Sequence, residues 1–453
     1  MEKLICLIKD ESKMLKLSKI MLIVYMTLTF IGVLMPDEFV IGIRQMGYLG
    51  LELPLDAFQM IIRWLNYVSF IVLPVAVYFN RSIFKKIAIY FCLPITIIFA
   101  CYFCEMLPYF TSSHGTGIVD IRYLPKFIPL VLRNGVFRGI LFFATVLSQL
   151  FVIALLINRD VKIFKWSKQD VLPFIIILVL SIASILPVYA LEGIFNTWTD
   201  FVFEAFSPLH FAWIAFIILE IAVCTIIFKK RPMEDRYILV LVLSLSLLLQ
   251  FNQLFSSLGE LTCKRMPFQL CNIAAYLIFV SIATRNRNLF LFNILINVAG
   301  GIIALMVMDV EVNGILNKSN IHYIVEHNNV IVTPLLCLIL GVFEPITMKD
   351  FKSFVIYFTG YYLFVFILGT TFNALKVATG SDYFFCNYLF MFDQETAARL
   401  IGFAGELFNI KISIGAVTLY PVIQFLIYCA FFLIGTIMFF ILKYAVRKKP
   451  QEK

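Results

Sequence analysis

Long apolar runs recur along the whole chain, separated by short polar turns. A run of about 20 apolar residues is long enough to cross a bilayer as a helix. In lipid the backbone must satisfy its own hydrogen bonds, as a helix or a closed barrel does. Barrel strands would alternate apolar and polar positions. These runs are continuous, so they predict helices and an all-α, polytopic membrane protein. Twelve spans are expected, at about 18–37, 58–79, 86–107, 133–157, 171–191, 210–228, 237–256, 268–284, 289–308, 329–345, 353–373 and 418–444. Of these, 268–284 and 329–345 are short, and a partly inserted thirteenth segment at 401–416 is the remaining option.

The charged positions turn this pattern into a topology. Lys9 to Lys19 precede the first span; Arg81, Lys85 and Lys86 follow the second; Lys162, Lys165 and Lys168 follow the fourth. Lys229, Lys230 and Arg231, then Arg285 and Arg287, then Lys349 and Lys352, follow the sixth, eighth and tenth, and Arg447, Lys448 and Lys449 close the chain. With twelve spans all of these share one side, which places both termini in the cytoplasm. The segments around 38–57, 108–132, 192–209, 257–267, 309–328 and 374–417 are then outside.

Composition agrees. The chain has 453 residues, 61% of them hydrophobic and 14% charged, against about a quarter charged in soluble domains. Its net charge of +9 is explained by the basic loops and does not argue for nucleic acid. Met1 to Lys19 carries mixed charge, unlike a simple signal peptide. The ten cysteines form no CxxC pairs. Cys101, Cys224 and Cys429 lie in apolar runs, as packing residues do, and Cys263 with Cys386 is a possible outer-face disulfide.

The two halves echo each other. Leu53-Pro54-Leu55-Asp56-Ala57-Phe58-Gln59 and Met266-Pro267-Phe268-Gln269-Leu270-Cys271-Asn272 each open a span, and Asp170 to Asn196 parallels Asp350 to Asn373. These matches suggest two degenerate five-helix repeats, at about 18–196 and 237–373, made parallel by the extra span His210 to Phe228. Phe58 then stands where Cys271 stands, and Phe127 lies near the position of His327. Two membrane domains are expected: 1–199, without a Cys/His pair, and 200–453, with the chemistry.

Cys271 and His327 are the candidate catalytic pair. A thiol attacks an ester carbonyl as thiolate, and a neutral imidazole can take its proton. Pro267 is expected to begin the eighth span, leaving Cys271 one turn in, where the positive helix end favours thiolate. The plainer readings are a small packing residue for Cys271 and an interfacial or capping residue for His327. All four histidines, His114, His210, His322 and His327, are expected on the outer side, the last two in one loop. Asn328 is a candidate to orient His327, donate to an oxyanion or cap the next span, and Asn272 to bond between helices. His210, at a span start, and Arg265, beside Lys264 on the non-basic side, are candidate substrate contacts, Arg265 for lipid phosphate. Asn373, Asp382 and Tyr383 flank the turn at Gly380 and are further candidates. The segment 374–417, rich in aromatic residues, is a candidate lid with interfacial helices. No Walker, Rossmann, HExxH or GxSxG motif stands in a credible context, and no cofactor or metal is expected.

From about 200 to 445 the chain resembles the YwaF-like integral membrane protein family of bacteria, related to an animal phospholipid acyltransferase. The resemblance rests on Phe206-Ser207-Pro208-Leu209-His210, on Met266 to Asn272, on His327-Asn328 before the apolar run ending at Gly341, and on Asn373 followed by Gly380-Ser381-Asp382-Tyr383-Phe384-Phe385. Met266 and Gln269 depart from the residues the family often has there, Leu and His, and usual bacterial members are about half as long. The resemblance implies a bacterial plasma-membrane enzyme that transfers acyl chains without CoA through Cys271 and His327, near the outer leaflet. Its partners would be a phospholipid donor and a lipid or lipoprotein acceptor. A lipid or small-molecule transporter, or a non-enzymatic membrane scaffold, is the competing reading.

Overall fold

The computed structural model describes residues 11–34, 53–101, 135–159, 164–185, 202–257, 263, 266–306, 313–315, 318–394 and 402–446. Among them, eight helices are long and apolar enough to cross a membrane. These are α1 (Glu11–Leu34), α2 (Leu53–Tyr78), α3 (Ser82–Cys101), α4 (Gly135–Arg159), α6 (Pro208–Phe228), α9 (Arg287–Met306), α11 (Met348–Thr379) and α12 (Pro421–Ala445). Helices α5 (Lys168–Ala183), α7 (Met233–Ser257), α8 (Leu270–Thr284) and α10 (Lys318–Ile339) complete the framework. Two short antiparallel pairs join it. In one, β1 (Val202–Phe203) meets β2 (Asn313–Gly314); the other is the hairpin of β3 (Ile412–Ile414) and β4 (Val417–Leu419), which turns at Gly415 with φ +59°.

Apolar packing forms two main clusters. The smaller draws on α1 to α4, with Leu22, Tyr25, Val72, Ile87 and Val152 at its centre. A hydrogen-bonded knot of polar side chains lies within these helices: Gln149 Nε2 donates to Ser69 at 2.7 Å, Thr96 at 2.6 Å and Asn66 at 3.1 Å. The larger cluster joins α6 to α12 and reaches into α2 through Phe70 and Ile71. The indole of Trp64 donates to the Ile185 carbonyl at 2.5 Å within the N-terminal half, and Phe30 of α1 meets Tyr276 of α8 edge-on across the two halves.

The basic turns gather on one face, where they are held by ion pairs and backbone carbonyls. Arg81 pairs with Asp235 at 2.6 Å, and buried Lys86 with Asp170 at 2.7 Å. Asp170 also completes the capping box of α5, accepting from Ser167. Lys86, then these Ser167 bonds, hold the Asp170 carboxyl below its ordinary range, at about 2. Arg287 binds both oxygens of Asp350 at 2.8–2.9 Å and the carbonyls of Glu344 and Pro345.

Three helix boundaries differ from expectation, and each moves a candidate residue. Helix α10 starts at Lys318, so His322 and His327 belong to a helix and not to an outer loop. His327 lies nine residues inside it, roughly 13 Å along the axis. Asn328 and Asn329 are therefore interior residues and cap nothing. Helix α11 runs unbroken to Thr379, taking in Asn373, and ends where Gly380 adopts φ +67°. Helix α8 starts at Leu270, not at Pro267. The chain before it is committed elsewhere: Phe268 O accepts from Tyr361 at 2.7 Å, while the Gln269 side chain binds Asn387 O and Leu389 N.

Beyond Thr379, where α11 ends, the described part of 374–417 contains short 3-10 turns and the strand β3, with β4 starting at Val417. Cys386, Tyr388, Leu389 and Met391 are buried in the main core. Residues 386–392 are thus packed into the protein interior, whereas Ile410, Ile412 and Ile414 are exposed, and the described residues of the optional segment at 401–416 form a 3-10 turn followed by a strand. Phe127 and the side chain of Phe58 fall outside the described residues, as do His114, Lys264 and Arg265.

Candidate active site

Three helices build the site. Cys271 is the second residue of α8, in the turn where unpaired backbone N–H groups give partial positive charge. His327 is on α10, which packs against α8. Helix α9 lies beside both, with Gly300 and Gly301 at the junction. A Cβ on Gly300 would stand 4.0 Å from Cys271 Sγ; one on Gly301 would stand 3.7 Å from the His327 carbonyl and 2.8 Å from Ile331. Small residues at such a crossing let helices approach closely in lipid. Just before these glycines, α9 carries a π-helical turn at Asn293–Asn297, with Asn297 Nδ2 donating to Asn293 Oδ1 at 2.7 Å.

The His327 ring is oriented by its own helix. Its Nδ1 lies 2.7 Å from the Tyr323 carbonyl, and the two rings are 4.2 Å apart. A carbonyl only accepts, so Nδ1 carries the proton and neutral His327 keeps its Nε2 lone pair. No hydrogen bond from a described residue occupies Nε2. This is the tautomer a general base requires. His210 contrasts with it. Its Nδ1 accepts from the Phe206 N–H at 3.0 Å and its Nε2 donates to the Leu305 carbonyl at 2.8 Å. Ser207 caps the same helix by accepting from His210 N, and Pro208 occupies its first turn. The Nε2 bond thus clamps the start of α6 to the end of α9, while the Nδ1 bond fixes the ring against the turn before its own helix.

Cys271 and His327 come to one junction, but no hydrogen bond joins them. Glu326 is 4% exposed; its Oε2 lies 3.3 Å from His322 Nε2, and its Oε1 has no hydrogen-bond partner among the described residues. The next but one residue, Asn328, donates to Glu220 of α6 at 2.8 Å. Residues 326, 327 and 328 point in three directions because successive helical residues are about 100° apart.

The other candidates divide plainly. Asn272 is half-buried beside Cys271. Asn373 ties the 380s segment to α11, donating to the Gly369 and Cys386 carbonyls at 2.9 Å each. Asp382 is exposed and pairs with Lys376 at 2.7 Å; Tyr383 is half-buried, its N–H bonded to Ser381. Cys263 and Cys386 are both free and buried, so the possible disulfide between them is not formed.

Sequence reasoning passed over Glu220 and Glu326, and did not weigh Gln250, Asn297, Thr333 or Tyr361. Gln250 Nε2, Asn297 Oδ1, Asn328 Oδ1 and Thr333 Oγ1 are buried without a hydrogen-bond partner among the described residues. The available signal was their type: carboxyl and amide groups inside helices of a membrane bundle are costly and tend to serve a site. No group of three or more potential metal ligands occurs among the described residues.

Residues 205–444, more than half of the chain, match the model of the TMEM164 family. No curated protein and no solved structure matches the chain.

Proposed function

The chain belongs to the TMEM164 family, and on that premise we propose that it is a CoA-independent membrane acyltransferase. It moves an acyl chain from a phospholipid to a lipid or lipoprotein acceptor on the extracytoplasmic side. The observation that carries this reading is the fixed tautomer of His327, a buried imidazole with a bare Nε2 on the helix packed against that of Cys271. Cys271 attacks the donor's ester carbonyl, the acyl group rests as a thioester, and a lysolipid leaves. An acceptor hydroxyl or amine then takes the acyl group while His327 Nε2 receives its proton. Ester and thioester exchange needs no further energy source, which suits a site away from cytoplasmic CoA.

The wider frame belongs to the same reading. The helices cross as twelve spans, with the face of Arg81, Lys86 and Arg287 in the cytoplasm of a bacterial cell. The N-terminal domain is a degenerate repeat serving as scaffold. Arg265 meets the lipid phosphate, and Asn272 lies beside the thioester. Asn328 acts through Glu220, while His210, Asn373, Asp382 and Tyr383 shape the walls. The experiment is lipid and lipoprotein mass spectrometry on cells carrying wild type, Cys271→Ala or His327→Gln. Both variants should abolish one class of acylated product; the same products in all three would sink the proposal.

A further inference from the structure

We propose that Glu220 and Asn328 form a neutral acid–amide pair, which makes Glu220 a proton-binding site open to the lipid interior. The pair holds whether or not Cys271 carries acyl groups. Glu220 is the only Asp, Glu, Lys or Arg in α6. It stands eight residues before Phe228, roughly 12 Å from the nearer end of the helix. Trp213 and Ile217 mark the buried face of α6, and Glu220 follows them at helical spacing. Phe216, Leu219 and Val223 around it are exposed, as lipid-facing residues are. The half-buried carboxyl therefore bonds to α10 on one edge and meets hydrocarbon on the other.

Charge and hydrogen bonding both assign the proton. No Lys, Arg or His pairs with Glu220 among the described residues. Helix α10 offers it Asn328, one residue after neutral His327, and α6 offers Cys224 one turn on. A carboxylate without a countercharge costs far more in lipid than a carboxylic acid does. Asn328 is 7% exposed; its Nδ2 donates to Glu220 Oε2 at 2.8 Å, while its buried Oδ1 has no hydrogen-bond partner among the described residues. A carboxylate has no proton to give that oxygen, and a carboxylic acid has one. Oδ1 shares a carbon with Nδ2, and Oε1 shares one with Oε2. The bond already formed thus holds the second within a small side-chain rotation. Turning the amide over asks for the same proton: Oδ1 would then face Oε2 at 2.8 Å, and two oxygens so close are held by a hydrogen between them.

The proton closes the seam between α6 and α10. Without it the seam would hold a bare charge and an orphan amide oxygen. A carboxyl that keeps its proton against lipid also has a chemical signature, because hydrophobic carbodiimides reach it there. The acid proton moves to one carbodiimide nitrogen, and the carboxylate oxygen bonds to the central carbon. The acyl group then migrates from that oxygen to the other nitrogen. The product is a stable N-acylurea, and nothing leaves.

The test uses the full chain in phospholipid nanodiscs at pH 7. Infrared difference spectra of wild type against Glu220→Gln should show the loss of one protonated-carboxyl stretching band. Loss of a carboxylate band instead, or no lost band, overturns the inference. Glutamine keeps both hydrogen bonds of the pair, so Glu220→Gln should unfold at the wild-type temperature and Glu220→Ala at a lower one. Glutamine as damaging as alanine overturns it too. Dicyclohexylcarbodiimide should modify Glu220 in wild type, read by peptide mass spectrometry, and a water-soluble carbodiimide should not. If Glu220→Gln does not fold, this comparison on the wild type decides. No adduct from the hydrophobic reagent, or an adduct from the water-soluble one alone, then overturns the proposal.

Discussion

Asn328 donates its side-chain amide to the Glu220 carboxyl at 2.8 Å, joining α10 to the middle of α6. Few of α6's side chains are buried, and most face outward. The Glu220 carboxyl, by accepting this bond, therefore helps seat the helix, together with the His210 bond to Leu305.

Removing one partner of this bond should cost more than removing both. Asn328→Ala leaves a half-buried carboxyl unpaired and should lower stability by about 1–3 kcal/mol, while the Glu220→Leu/Asn328→Leu double variant should recover most of it. Thermal unfolding in detergent micelles measures this. Equal losses in the single and double variants would show that the bond does not seat α6.

His210 and His327 should fail in different ways. His210→Ala deletes the bond that clamps α6 to α9 and a second within the turn before α6, so it should lower stability by roughly 1–3 kcal/mol. His327→Ala deletes one bond within its own helix and should change activity far more than stability. Parallel unfolding and acyl-product assays separate the two, and a stable His210→Ala protein would contradict the clamp.

Glycines at the helix crossings should not accept a methyl group. A Cβ on Gly435 would lie 2.5 Å from the Phe354 ring, and one on Gly369 2.3 Å from the Phe392 ring, whereas Gly360 has open space. Gly435→Ala and Gly369→Ala should each cost about 1–3 kcal/mol through overpacking. Gly360→Ala should be neutral or slightly stabilising, because alanine favours a helix. Unfolding midpoints for the three variants provide the comparison.

Arg287 holds the start of α9 to the start of α11 through four hydrogen bonds. Lysine keeps the charge but not the planar fork. Arg287→Lys should therefore destabilise the protein by about 1–2 kcal/mol, read as increased proteolysis at the 340–350 turn. Unchanged proteolysis would mean that charge alone suffices.

The Lys86–Asp170 pair predicts a pH dependence with a definite sign. Lys86 and the Ser167 bonds depress the Asp170 carboxyl from 3.8 to about 2 in the folded protein. The unfolded chain therefore binds the proton first, so the contribution is complete above the ordinary value and is lost as pH falls toward about 2. Wild type should unfold at a higher temperature than Asp170→Asn at neutral pH, and the two curves should converge between about pH 4 and pH 2. A constant separation through that range would exclude the pair as its source.

Where sequence reading strayed, one physical cause recurs. Hydropathy detects apolar stretches and not helices, so the polar start of α10 read as a loop. His322, Glu326 and Asn328 are helical because their polar groups find partners inside the protein: the His322–Glu326 pair and the Glu220 carboxyl. The same holds for Gln269, whose bonds to the 387–389 backbone delay the start of α8. Asn373 looked like a residue of the Gly380 turn, but its bonds to Gly369 and Cys386 hold it within α11. The start of α6 near His210 was legible in the sequence, and the Ser207 cap and Pro208 that set it in the fold are local features.

By itself, the sequence determined that this is a helical membrane protein and which apolar stretches form its helices. Lipid forces each such stretch to satisfy its own backbone, and a run of apolar side chains records that demand directly. Only the tertiary structure decided which polar groups meet: Glu326 with His322, Asn328 with Glu220, and Cys271 beside Gly300. In lipid, hydropathy does not tell one helix face from another. Close approach at glycines and hydrogen bonds between helices make that choice, and both depend on positions far apart in the chain.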